Sequence, residues 1–169
     1  MVPDTPSDFD GTVYATPVTG DFTVRELSDR LQIRELLDTY AAGIDTRNWS
    51  LLASCCTPDA ELDYSAYGGP KGSVQEAVEW IAKAMSQIAV SQHLVTNVRV
   101  SLDGDVATAQ CYLFSPLAAD TDTGSRRTFL VGGHYADRLR RTNNGWRIER
   151  RVAGPSWSYD VPGGSPRFD

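Results

Sequence analysis

The chain has 169 residues, 41% of them hydrophobic and 22% charged, with a formal net charge of -6. That size and balance suit one globular domain with a substantial core, while the acidic sign and the lack of a Lys/Arg cluster argue against a nucleic-acid surface or a polybasic membrane contact. No apolar run approaches the ~20 residues of a spanning helix.

Residues 1–20 are acidic and turn-rich and read as an arm. They lack the basic start and apolar middle of a secretory signal, so a cytoplasmic location is expected. From Phe22 the pattern turns helical. Leu27, Leu31, Leu37, Tyr40 and Ile44 recur near a three-to-four spacing, Arg25, Asp29, Arg30, Arg34 and Glu35 lie largely opposite, and Gly43 suits termination. Beyond Gly43 stands Asp45, a negative group at the carbonyl end of a helix, disfavoured by ~0.3–1 kcal/mol unless a partner holds it. A second, short helix is predicted over "NWSLLASCC", with Asn48 as its cap and Trp49 and Leu52 on its apolar side. "TPDAELDY" passes from a turn into a strand. "SVQEAVEWIAKAMSQIAV" is the clearest amphipathic helix: Ser73 and Glu76 form a capping box, and Val74, Ala77, Val78, Ile81, Met85 and Ile88 make its buried stripe.

The remainder reads as antiparallel sheet. "QHLVTNVRVSLDGD" and "VATAQCYLFSPL" meet at an Asp-Gly turn; "RRTFLVGGHYADRLRR" and "GWRIERRVAG" meet at "TNNG". The basic segments "SRRTF" and "RLRRTNNGWRIERR" read as solvated strand faces. Helices ahead of long strands predict an α+β domain over residues 21–155, with helices packed on one face of a curved sheet. Residues 156–169 form a Gly/Pro-rich tail.

Three cysteines, Cys55, Cys56 and Cys111, show no CxxC spacing and read as buried free thiols. The two histidines, His93 and His134, sit in no dense cluster of ligands, so no metal site is expected. Phosphate-loop and nucleophile-elbow patterns are missing as well. Strand alternation places His93, Val95, Asn97 and Arg99 on one face and Leu94, Val98, Val100 and Leu102 on the other. The second face is apolar enough to call for a partner subunit, and a homo-oligomer is expected. A histidine on a strand inside a pocket needs a carboxylate to orient it as a base, and Asp45 is the candidate. Tyr40, five residues before Asp45, would supply a phenol if the helix loosens near Gly43. Tyr64 and Tyr67 stand where a strand meets a loop and can line a cavity mouth. Trp49, Phe114 and His134 are further candidates for contact with a substrate. Each of these residues also has a structural reading: a satisfied core histidine, a core tyrosine, or a turn-forming aspartate.

Together, "IRELLDTYAAGIDTRNWSLLASCCTPDAELDY", "GSVQEAVEWIAKAM", "QHLVTNVRVSLDGDVATAQCYL" and "GGHYADRLRRTNNGWRIERR" resemble the SnoaL-like branch of the nuclear transport factor 2-like superfamily. The character is that of the scytalone dehydratase and bile-acid 7α-dehydratase group, with hexachlorocyclohexane dehydrochlorinase as a further relative. The resemblance implies a cone-shaped α+β barrel, a curved, mixed and largely antiparallel sheet wrapped around N-terminal helices with an internal apolar cavity, and a homo-oligomer in which a trimer is favoured over a dimer. It also implies catalytic roles for Tyr40, Asp45 and His93, with Tyr64 and His134 as looser equivalents. The activity implied is a cofactor-independent lyase of the dehydratase type on a hydrophobic cyclic hydroxy-ketone, steroid-like or polyketide-like. An isomerase in the same pocket, or a non-catalytic assembly subunit like those of ring-hydroxylating dioxygenases, is the alternative, because this fold hosts several functions.

Overall fold

The computed structural model describes residues 20–121, 124–154 and 157–161. Helix α1 (Val24–Asp45) starts at a reciprocal cap: the Thr23 hydroxyl accepts from the Glu26 N–H, and the Glu26 carboxylate accepts from the Thr23 N–H at 2.7 Å. Two of the amides that a helix start leaves open are thereby satisfied. The buried face of α1 differs from the expected stripe. Leu27 and Leu31 are 52% and 61% exposed, whereas Asp29 is buried alongside Ile33, Leu36, Leu37, Tyr40, Ala41 and Ile44. The Arg141 guanidinium clamps Asp29 with bonds of 2.7 and 2.6 Å, and the Trp146 indole N–H donates a third of 3.1 Å. These bonds hold the Asp29 carboxyl below the usual carboxylate range. The phase of the helix is therefore set by an ion pair at its start and by apolar packing further along.

The helix also runs past Gly43, to Asp45. Gly43 serves close approach instead. Helix α2 (Trp49–Ser54) crosses so near that a Cβ at this position would lie 2.9 Å from the Leu52 backbone nitrogen. Asn48 caps α2, its side chain accepting from the Leu51 N–H at 3.0 Å. Strand β1 (Cys56–Asp63) and the short β2 (Lys71–Ser73) lead into α3 (Val74–Met85), where the Ser73/Glu76 capping box forms and Ala77, Ile81 and Met85 are buried.

The rest of the chain supplies β3 (Val90–Ser91), β4 (Leu94–Asp103), β5 (Val106–Asp120), β6 (Arg126–Thr142), β7 (Gly145–Ala153) and β8 (Trp157–Asp160). The sheet order is β2-β1-β7-β6-β5-β3, with β4 also beside β5 and β8 beside β6. All neighbours are antiparallel except β1 and β7. The architecture is α+β with a curved, largely antiparallel sheet that does not close into a complete barrel. Both expected hairpins form, β4–β5 turning at Gly104 (φ 60°) and β6–β7 ending its turn at Gly145 (φ 90°), conformations that favour glycine. Residues 1–19 of the expected arm and 162–169 of the expected tail lie outside the described residues. Residues 157–160, assigned to that tail, are strand β8.

Two bulges overturn the simple alternation. In β4 the register shifts by one residue between Thr96 and Arg99, and Asn97 takes φ 54°, a conformation asparagine tolerates better than most residues. Beyond it the faces exchange. Val98, Val100 and Leu102, expected on the outer face, pack against the core. In β7 an extra residue, Glu149, opposes the step between Arg138 and Leu139. The strand segments expected to be solvated are in part buried and ion-paired: Arg138 donates to Glu149 at 3.0 Å, and Arg151 is 1% exposed.

Gly43→Ala tests the α1–α2 crossing. The added methyl should destabilise the protein by about 1–3 kcal/mol, read as a lower urea midpoint with an unchanged slope.

Candidate active site

The end of α1 and the start of β4 are tied by one carboxylate. Asp45 Oδ2 accepts from the His93 backbone N–H at 2.8 Å, and Asp45 Oδ1 pairs with His93 Nδ1 at 2.6 Å. A carboxylate only accepts, so Nδ1 carries a proton, and in the neutral ring the basic nitrogen is Nε2. The unfavourable placement of Asp45 at a helix terminus is offset by Arg47. Its guanidinium donates to the carbonyls of Ile44 (2.8 Å), Asp45 (3.3 Å) and Ile88 (3.0 Å) and to the Ser91 hydroxyl (3.0 Å), in a residue with φ 57°. One cation thus covers the negative helix end and fixes the chain just ahead of His93. Arg47 was not singled out in the sequence, although an arginine two residues past a helix end is a recognised signal for this role.

His93 opens onto a cavity of about 260 Å³ lined mainly by apolar groups, among them Ile44, Trp80, Ile81, Met85, Leu113 and Leu117, with Tyr64, Tyr67, Ser115 and Tyr135 as the other polar members. A larger groove of about 430 Å³ between α1, α2 and the start of β7 contains none of these titratable residues, and the smaller cavity is the candidate site because it holds the oriented histidine.

Tyr40 does not line this cavity. Its phenol lies behind the wall, 1% exposed, with its hydroxyl 2.7 Å from that of Tyr64. Of the phenols that line the cavity, Tyr64 is the one bonded to Tyr40, and it packs edge-on against the other two, Tyr67 and Tyr135. Behind them lies Arg151, its guanidinium over the rings of Tyr40 (4.2 Å) and Tyr135 (4.0 Å), which stand edge to face, and bonded twice to Asp137 at 2.7 and 2.8 Å. Burial pushes the Tyr64 hydroxyl up from its ordinary value, while the Arg151 charge and the bond from Tyr40 pull it back. Burial likewise raises Tyr40 and Tyr135 well above theirs. At neutral pH all three phenols are protonated and can act as donors. Arg151, Asp137 and Tyr135 are additions to the residues singled out in the sequence. Strict alternation from Trp146 and Ile148 turns Arg151 outward; the bulge at Glu149 turns it in.

Three expected contacts fall elsewhere. His134 lies on the outer face, opposite Tyr112 in the ladder and against Gly154, because its neighbour Tyr135 takes the inward position. Phe114 alternates with the cavity-lining Leu113 and Ser115 and so also faces out, 36% exposed and packed near Trp157. Trp49 is partly buried against the core, away from the cavity lining. Among the described residues no three of His, Cys, Asp and Glu gather closely enough to hold a metal ion.

A family model described as a SnoaL-like domain matches residues 25–152. The uncharacterized protein Rv2910c of Mycobacterium tuberculosis (strain H37Rv) is 37% identical over 130 residues, 77% of this chain and 87% of its own length. Among solved structures, a candidate scytalone dehydratase from Novosphingobium aromaticivorans superimposes with a TM-score of 0.69 at 16% identity, covering 88% of this chain and 100% of that one. The hexachlorocyclohexane dehydrochlorinase LinA-type3 from Novosphingobium barchaimii gives a TM-score of 0.69 at 18% identity, covering 82% and 93%. These two likenesses carry the fold.

The buried pair behind the tyrosines predicts a non-additive pattern. Arg151→Met alone strands Asp137 and should cost about 3–5 kcal/mol, whereas Arg151→Met combined with Asp137→Leu should recover most of it, as read from denaturant titrations.

Proposed function

Since the chain belongs to the SnoaL-like domain family within the nuclear transport factor 2-like superfamily, we propose that it is a small-molecule lyase that eliminates water from a cyclic β-hydroxy ketone, using side chains alone. One observation carries the reading: a histidine whose Nδ1 is fixed by Asp45 at 2.6 Å opens onto an apolar cavity that also holds a protonated, cation-backed phenol. His93 Nε2 takes the proton next to the carbonyl, and Asp45 stabilises the imidazolium that forms. The Tyr64 hydroxyl donates to the carbonyl oxygen as it gains enolate charge. Tyr40 and Arg151 act through Tyr64, the first by a hydrogen bond and the second by its charge. A positioned base gives about 10²–10⁴-fold, and a donor placed on the developing oxyanion in a dry site adds further stabilisation. Collapse of the enolate expels the hydroxyl, which leaves as water with the proton from His93.

The volume narrows the substrate class. At about 260 Å³ the cavity is at the lower edge of small-molecule sites, which run from ~300 Å³ upward. It suits one or two rings, so a compact polyketide-like skeleton fits better than a four-ring steroid.

Asp45→Asn is the sharpest test. Asparagine has one acceptor where the site uses two, so either the His93 backbone N–H or its ring loses a partner. This variant and His93→Ala should each lower the elimination rate on a bicyclic probe such as 3-hydroxy-1-indanone by at least about 10²-fold, with circular dichroism unchanged. A rate like that of the unmodified protein in either variant removes the reading.

We also propose that the protein self-associates through its outer sheet face, a trimer being favoured over a dimer. Support comes from Leu94, Tyr112, Phe114, Trp157 and Tyr159, which are 36–57% exposed, and from the ladder, which places Leu94, Phe114, Gly132 and Trp157 in one row across four strands. Sedimentation of the purified chain should give a multiple of 18.5 kDa. Tyr112→Glu with Phe114→Glu should give the monomer.

A further inference from the structure

Ser115 is 1% exposed, its hydroxyl has no hydrogen-bond partner among the described residues, and it lines the same cavity as His93. A hydroxyl in that position is unusual, since buried polar side chains nearly always find a partner and an unpaired one is costly. Nothing in the sheet requires it: Leu113 and Leu117, its neighbours on the inward face of β5, are apolar. The register shows where the hydroxyl lies. Ser91 opposes Leu117 and Leu94 opposes Phe114; carried across the two residues between β3 and β4, that count sets His93 opposite Ser115, and both are in the cavity wall. Neighbouring side chains on one face of an antiparallel pair lie within about 4.5–5.5 Å at Cβ. An unpaired hydroxyl thus stands beside the base on the wall formed by β5. The Tyr67 hydroxyl, also without a partner among the described residues, lines the same cavity, which suits an oxygenated guest over a hydrocarbon.

We infer that Ser115 holds the substrate's departing oxygen next to His93, making the site selective for a hydroxyl leaving group. The inference rests on the lyase reading and deepens it. In the ground state the Ser115 Oγ exchanges a hydrogen bond with the β-hydroxyl. His93 Nε2 removes the α-proton, the electron pair of that C–H bond forms the enolate, and its return forms the C=C bond as the C–O bond breaks. The proton on His93 passes to the leaving oxygen, which departs as water still bonded to Ser115. The products are an enone and water, and both residues return to their starting states. A leaving group that makes weak hydrogen bonds, such as chloride, would gain little from this arrangement.

The test compares two ketones with the same ring system, 3-hydroxy-1-indanone and 1-indanone, by calorimetric titration against the full chain and Ser115→Ala. The unmodified protein should bind the hydroxylated probe about fivefold more tightly, the typical effect of one neutral hydrogen bond. Ser115→Ala should bring the ratio to about one while holding 1-indanone affinity within about twofold. Ser115→Cys, which keeps the volume with weak hydrogen-bonding capacity, should do the same and covers the case in which the alanine variant folds poorly. A preference that survives both substitutions, no preference in the unmodified protein, or equal weakening of both ketones overturns the inference. Enone formation by absorbance separates the two levels. A preference lost on substitution without any enone keeps the subsite and removes the lyase; enone formed equally fast with and without Ser115, at an unchanged binding ratio, keeps the lyase and removes the subsite.

Discussion

A guanidinium removed from water needs partners for its charge, and those of Arg151 organise the middle of this protein, although its Nη1 has no hydrogen-bond partner among the described residues. Asp137 meets its edge with two bonds, and the rings of Tyr40 and Tyr135, set edge to face with each other, both pack against it. The tyrosine rings then fix each other and Tyr64, which lines the cavity. Helix α1, strands β6 and β7 and the segment after β1 each contribute to this cluster, so one buried charge sets the relative placement of four parts of the chain. Such pairs add little net stability over an apolar replacement, and their best-supported value is in selecting one arrangement. Here that arrangement puts a protonated phenol in front of a positive charge.

Local patterning made the element order legible. The capping box at Ser73, the cap at Asn48 and the turns ending near Gly104 and Gly145 all specify their structure within a few residues. The pairing of Asp45 with His93 was legible too, because an aspartate at a helix end violates a local electrostatic rule and so points to a distant partner. Positions decided by phase were not legible. Alternation is a counting rule, and one inserted residue inverts it. Asn97 turns Val98, Val100 and Leu102 inward, and Glu149 does the same for Arg151. Neither residue announces itself by type. Asp29 and Leu31 exchange places for another reason, since the ion pair with Arg141 lies more than a hundred residues away in sequence.

The site and its frame obey different demands. The walls around His93 are almost wholly apolar, which strengthens each electrostatic interaction inside and keeps the base from being solvated. The two ends of the His93 imidazole are treated differently: one is bound to a carboxylate held by a helix terminus, the other is left open toward the cavity. Arg47 makes this possible by occupying the helix end that Asp45 would otherwise destabilise. Its bonds to Ile88 and Ser91 carry the same cation across to the segment just ahead of His93.

The parallel pairing of β1 with β7 sets the order of assembly. Strands β4 through β7 are linked by short turns and can zip from neighbour to neighbour, but Cys56 finds Ile148 only after roughly ninety intervening residues have been gathered. Non-local pairing of this kind slows folding. The hairpins that carry His93, Ser115, Tyr135 and Arg151 can therefore form as a sheet before β1 docks and delivers Tyr64. In kinetic terms the cavity is a late product of folding: its base side, with Tyr135, can be built early, and Tyr64 arrives with the last strand.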